Sequence, residues 1–145
     1  MNKFEEKVYP FTTESISGYM GIMDVKDKSV LTVGSSIDQA LSACLYGAKD
    51  ITVMDINKMT RAYMKYKLEL LKRCSNFDEF YQMIAMFNGL PLSKDEMFSL
   101  EALRKMCPYF KDWNSFSKLN ENMKDTSFKF IEGNITSYDK VDDTF

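Results

Sequence analysis

Ser29-Val30-Leu31-Thr32-Val33-Gly34-Ser35-Ser36 is the stretch on which the fold turns. A mostly apolar, β-branched run continues without a turn signal until Gly34 breaks it. This pattern predicts a short strand, 29–33, apolar on both faces, of the kind found inside a sheet covered by helices. Gly34-Ser35-Ser36 then predicts a sharp turn into a helix from Ser36 to Tyr46. Ala40, Leu41, Cys44 and Leu45 would form its inward stripe, and Gly47 its C-terminal cap.

A second strand, Ile51-Thr52-Val53-Met54, begins 22 residues after the first and ends at Asp55. Two strands joined by one helix should lie parallel through a right-handed crossover. Further along, Ala62, Tyr66, Leu70 and Leu71 predict a long helix from Lys58 to Cys74. Lys65, Lys67, Lys72 and Arg73 read as its solvated face, with a local anion-binding patch as the alternative. Residues 76–125 read as a helical insertion packed beside the sheet. Phe77, Phe80, Tyr81, Ile84 and Phe87 mark one helix, and Met97, Leu100, Leu103 and Met106 a second. Pro108 ends the second, and Trp113, Phe116 and Leu119 begin a third piece. These aromatic and methionine positions are read as core. The third strand is Phe128-Lys129-Phe130-Ile131-Glu132, followed by a polar and acidic tail without strand character. Upstream, Ile16, Tyr19, Met20 and Met23 predict a short amphipathic helix over 14–23, capped by Thr12 or Thr13.

Composition narrows the function classes. With 19 Lys and Arg against 21 Asp and Glu, the net charge of -2 gives no global attraction to nucleic acid or to an anionic membrane. No stretch approaches the length of a membrane span, and the charged N-terminus does not open a signal peptide. Cys44, Cys74 and Cys107 read as partly buried thiols of a reducing, cytoplasmic protein. Zero histidines and no C-x-x-C pair argue against structural zinc and against Ser-His or Cys-His catalysis.

The chemistry concentrates where the first two strands end. In an open parallel sheet, ligands sit beyond the carboxyl ends of the strands. Gly34 leaves room for close backbone approach, and the amides of Ser36 to Asp38 are expected as free helix donors for a carboxylate or phosphate. Asp55, 21 residues after Gly34, stands where an acid accepts hydrogen bonds from ribose hydroxyls. The G-x-G-x-x-G fingerprint keeps only its first glycine, and no G-x-x-x-x-G-K-[ST] loop is present. Asp95, Glu96 and Glu101 read as an exposed helix face, so no general base is assigned.

Val30-Leu31-Thr32-Val33-Gly34-Ser35-Ser36-Ile37-Asp38-Gln39-Ala40-Leu41 and Gly47-Ala48-Lys49-Asp50-Ile51-Thr52-Val53-Met54-Asp55-Ile56-Asn57 together resemble the Rossmann-like class I S-adenosylmethionine-dependent methyltransferases. More narrowly, they are similar to a bacterial branch that also resembles the S-adenosylmethionine:diacylglycerol 3-amino-3-carboxypropyl transferases. That branch carries a V-G-S-S-G-D-Q-like loop and an acid plus asparagine after the second strand. Phe11-Thr12-Thr13-Glu14 is similar to its segment ahead of the first strand. The resemblance implies S-adenosyl-L-methionine as cofactor. Gly34, Ser35 and Ser36 would wrap its methionine end, and Asp38 would sit near its amino group. Asp55 would hold the ribose, Ile56 would pack on the adenine, and Asn134 would meet the adenine amino group. The chain departs from the branch at Ile37, where glycine is usual.

The resemblance covers the first three strands of a seven-stranded family fold. Residues 1–145 are therefore expected to be the N-terminal part of an S-adenosylmethionine-binding, Rossmann-like α/β domain, inactive alone. A parallel sheet in order 3-2-1 is expected, with 29–33 at one edge, 51–54 central and 128–132 at the other edge. The apolar edge strand should be covered by helices from 76–125, pair in a homodimer, or drive aggregation. The expected function is methyl transfer to an unidentified acceptor. Transfer of a 3-amino-3-carboxypropyl group, a non-catalytic interaction or assembly domain, and an NAD-linked oxidoreductase are the alternatives.

Overall fold

The computed structural model describes residues 9–88, 99–133 and 142–144. It is a small α/β domain built on a three-stranded parallel sheet flanked by helices. Strand β1 (Ser29–Val33) pairs in parallel with β2 (Asp50–Asp55), and β2 pairs in parallel with β3 (Ser127–Glu132). A short β4 (Asp142–Thr144) adds antiparallel to the far side of β3, so the sheet order is β1-β2-β3-β4. The expected order of the first three strands is found, but β3 is internal rather than an edge. The acidic tail supplies the edge instead. An edge strand contributes mainly backbone hydrogen bonds, so its sequence needs no apolar run.

Helix α1 (Asp38–Leu45) connects β1 to β2 and ends as the sequence implies. Gly47 adopts φ 96°, its N–H reaches Cys44 O at 3.0 Å, and the Ala48 N–H reaches Ala43 O at 3.0 Å. This 5→2 and 6→1 pair satisfies carbonyls that a helix end leaves open. The helix starts two residues later than expected, because Ser35 and Ile37 both take left-handed backbone angles. Helix α2 (Lys58–Arg73) starts at Asn57, whose side chain accepts the Met59 N–H at 2.9 Å. The insertion folds as α3 (Phe77–Asn88), α4 (Leu100–Met106) and α5 (Trp113–Asn122). Ser99 and Asp112 cap the last two through Ala102 N and Ser115 N. Met97, Asp95 and Glu96 lie outside the described residues.

The lead-in differs from the expected helix. Only Ile16–Gly18 forms a single 3-10 turn, and Thr12 turns its hydroxyl onto the Glu14 backbone rather than capping a helix. Gly18 and Gly21 lower helix propensity across this short stretch. Ile16 and Met20 are nonetheless buried, while Met23 is exposed.

One sheet face carries the core. Val30, Ile51, Val53, Phe128 and Phe130 alternate onto it through the strand registers. Of the aromatic residues of 76–125, Phe80, Tyr81, Tyr109, Phe110 and Phe116 pack as core, joined by Phe11, whereas Trp113 is exposed. Phe11 stacks on Tyr81 at 5.6 Å and meets Phe110 edge-on at 5.2 Å. The opposite face begins with Leu31 and Val33, which remain 54% and 52% exposed. Here the expectation of a strand buried on both faces is corrected: β1 is half-buried on one face and exposed on the other, and it ends the sheet. No helix among the described residues is long and apolar enough to cross a membrane.

Candidate functional site

The carboxyl ends of β1 and β2 meet at Gly34. Its N–H donates to Met54 O at 3.0 Å, continuing the strand pairing by one residue. A Cβ on Gly34 would lie 2.5 Å from both Asp55 Oδ2 and Thr60 Cγ2, so glycine is needed for the two loops to approach. The Asp55 carboxylate then ties them together. Its Oδ2 accepts the Ser35 N–H at 3.1 Å and its Oδ1 accepts the Asn57 N–H at 2.9 Å. Asp55 is half-buried, whereas Ser35, which donates to it, and Ile56, next in sequence, are exposed. Met59, in the first turn of α2, is exposed as well. An anchored carboxylate with apolar neighbours thus stands at the end of the sheet.

The rest of the loop turns inward. Ser36 and Asp38 are both fully buried. Asp38 Oδ2 accepts the Thr12 N–H at 2.7 Å, and its Oδ1 accepts Lys67 Nζ at 2.8 Å and the Tyr109 hydroxyl. Lys67 is itself 0% exposed and donates also to Pro10 O and Ser36 O, each at 2.8 Å. Its Nζ lies over the Phe11 ring at 4.8 Å. Burial pushes the Lys67 ammonium below its ordinary range, and the Asp38 charge opposes that shift. Three acceptors at 2.8 Å match the three donors of an ammonium, so the pair is read as ionised. Burial also pushes the Tyr109 hydroxyl well up, which keeps it a donor to Asp38.

This pair corrects the reading of Lys67 as part of a solvated helix face. It also gives Asp38 a structural job: both carboxylate oxygens are engaged within the protein. Nor are the amides of Ser36 to Asp38 all free donors, since the Ile37 N–H is taken by Gly34 O at 2.8 Å. The Ser36 Oγ is buried without a hydrogen-bond partner among the described residues. Ile37 holds φ 72°, a left-handed angle that costs a β-branched side chain energy. Complete burial of its side chain offsets that cost. The fold therefore asks for a glycine-like angle at the position where the resembling branch carries glycine.

The structure brings Gly34, Ser35, Asp55 and Ile56 to one end of the sheet and sends Ser36 and Asp38 inward. Asn134 lies outside the described residues. Lys67 and Tyr109 were missed as partners of the loop. The available signal was a lysine inside the apolar stripe of Tyr63, Met64, Leu70 and Leu71. Among the described residues no group of three or more His, Cys, Asp or Glu side chains could hold a metal ion. All three cysteines are buried and free. No family model, curated protein or solved structure matches the chain.

Proposed function

We propose that the chain is the cofactor-binding part of a Rossmann-like transferase that uses S-adenosylmethionine, with methyl transfer as its reaction. The reading rests on the junction of Gly34, Ser35 and Asp55. Each Asp55 oxygen accepts one backbone N–H and keeps a lone pair for a ribose hydroxyl. Ile56, exposed next to it, offers an apolar surface to adenine. The left-handed angle at Ile37 supports a loop of the same shape as the resembling branch. Asp38 acts in this reading as a positioning residue that holds the loop, and Asn134 is left to meet the adenine edge. When bound, S-adenosylmethionine supplies a sulfonium-activated carbon, so the protein's task is to orient it toward an incoming nucleophile.

Calorimetric titration with S-adenosylhomocysteine tests the reading, with NADH as the matched control. Asp55→Ala should weaken binding about 10-fold to 100-fold, since charge-assisted hydrogen bonds to a carboxylate contribute roughly 1.5–3 kcal/mol. Absence of binding to the folded wild-type chain would remove the cofactor assignment. Binding of NADH alone would move it to a nicotinamide-linked oxidoreductase.

The open β1 strand favours a second reading, an interaction or assembly domain. Leu31 and Val33 are exposed on a strand that carries no charge or proline, the usual guards of an edge. Light scattering of wild type and Leu31→Lys separates the two readings. Self-association abolished by the lysine, with no nucleotide binding, would establish the second.

A further inference from the structure

A cleft of about 980 Å³ lies away from the Gly34 loop, between α2 and residues 120–128 at the amino end of β3. Its volume falls within the range of small-molecule sites. Along one wall, Arg61, Lys65, Glu69 and Lys72 follow helical spacing. At 1.5 Å of rise per residue they span roughly 16 Å of α2. Lys124 faces them from the other wall. The protein as a whole is net negative, yet this cleft gathers four cations against the single carboxylate of Glu69. Lys65, Lys72 and Lys124 make no ion pair among the described residues, although Glu69 is one turn from Lys65. Beneath the charges, Leu68, Met123 and Phe128 contribute apolar lining. All three are core-facing residues, less than a tenth exposed.

We propose that this cleft binds an elongated amphipathic anion, with a carboxylate or phosphate head held by the lysines and an apolar body laid over the aliphatic stems of Arg61, Lys65 and Lys72 and the exposed edges of Leu68, Met123 and Phe128. Charge selects the head, and the length of the α2 wall favours an extended body. Bulk salt would screen such exposed lysines if charge acted alone. The aliphatic stems of those long side chains, with the exposed edges of the residues beneath them, are what add affinity and selectivity for chain length. The site is independent of the nucleotide reading, because its residues share none with the Gly34–Asp55 junction.

Calorimetry with octyl phosphate and octanoate, both kept below micelle formation, tests the proposal and tells the two head groups apart. Shortening octyl to butyl should weaken binding several-fold for each pair of methylenes, since each buried methylene contributes up to about fourfold. The variant Lys65→Gln/Lys72→Gln/Lys124→Gln alters only exposed side chains and should keep its circular dichroism. It should lose at least tenfold in affinity for both probes. Excess S-adenosylhomocysteine should leave the octyl phosphate affinity unchanged. The proposal is overturned if neither octyl phosphate nor octanoate binds, or if inorganic phosphate or octanol binds as tightly. An unchanged affinity in the triple variant, or competition by S-adenosylhomocysteine, would overturn it too.

Discussion

Lys67→Met should be among the most destabilising single substitutions in this chain, although it removes no apolar volume. The methionine keeps the unbranched stem against Phe11 and Tyr63 but deletes three donors at 2.8 Å. Pro10 O retains the Tyr63 hydroxyl at 2.7 Å. The Ser36 carbonyl loses its side-chain donor, and Asp38 keeps only Thr12 N and Tyr109 OH. Removing one partner of a buried pair leaves an uncompensated charge and costs about 3–5 kcal/mol. A domain of this size is stable by roughly 5–15 kcal/mol, so the midpoint of thermal unfolding should fall by about 6–20 °C. Urea unfolding followed by circular dichroism gives the free energy directly. The companion Asp38→Asn should also destabilise, by leaving the Lys67 ammonium unbalanced. In the double variant neither charge remains, so its loss should be smaller than the sum of the singles by more than 1 kcal/mol, in the manner of contacting residues. A loss below about 1 kcal/mol in Lys67→Met, or strict additivity in the cycle, would refute the view that this pair organises the loop.

At Ile37 the left-handed backbone should invert the ordinary order of substitutions. Ile37→Gly is expected to be more stable than Ile37→Ala by about 1 kcal/mol, because both delete the same buried side chain and only glycine escapes the strain. Equal or reversed stabilities in urea would show that the angle carries no cost. Gly34→Ala should cost about 1–3 kcal/mol, since its methyl would sit 2.5 Å from Asp55 Oδ2 and Thr60 Cγ2. The same urea titrations report it, and a neutral effect would mean that the two loops separate freely. Alkaline pH should destabilise the chain through Cys44, whose thiol burial pushes up to about 11 from 9.0. Below pH 9 the thiol is protonated in both states and stability is unaffected. Between 9 and 11 only the unfolded state ionises, so stability falls by about 1.4 kcal/mol per pH unit from this group. Cys44→Ala should make that slope shallower, and an unchanged slope would exclude Cys44 as its source.

Local pattern sufficed for much of this molecule. The β-branched run 29–33, the Gly47 cap, the second strand ending at Asp55 and the insertion helices all follow from periodicity and end signals. Each of these depends on contacts a few residues apart. The approach of Gly34 to Asp55 was legible too, because a β-α-β unit carries both residues to the same end of the sheet. Other features depend on partners distant in sequence, and there the tertiary structure decided. Lys67 looked like one more cation on a polar helix face, and Asp38 like a free acid at a helix start. Their 29-residue separation gives no local sign that each neutralises the other. The tail likewise reads as polar linker, yet β4 needs only the open backbone of β3 to pair. Whether β1 is covered depends on which elements pack on its second face, and alternation within five residues cannot encode that. Leu31 and Val33 are apolar by sequence; only the assembled sheet leaves them exposed.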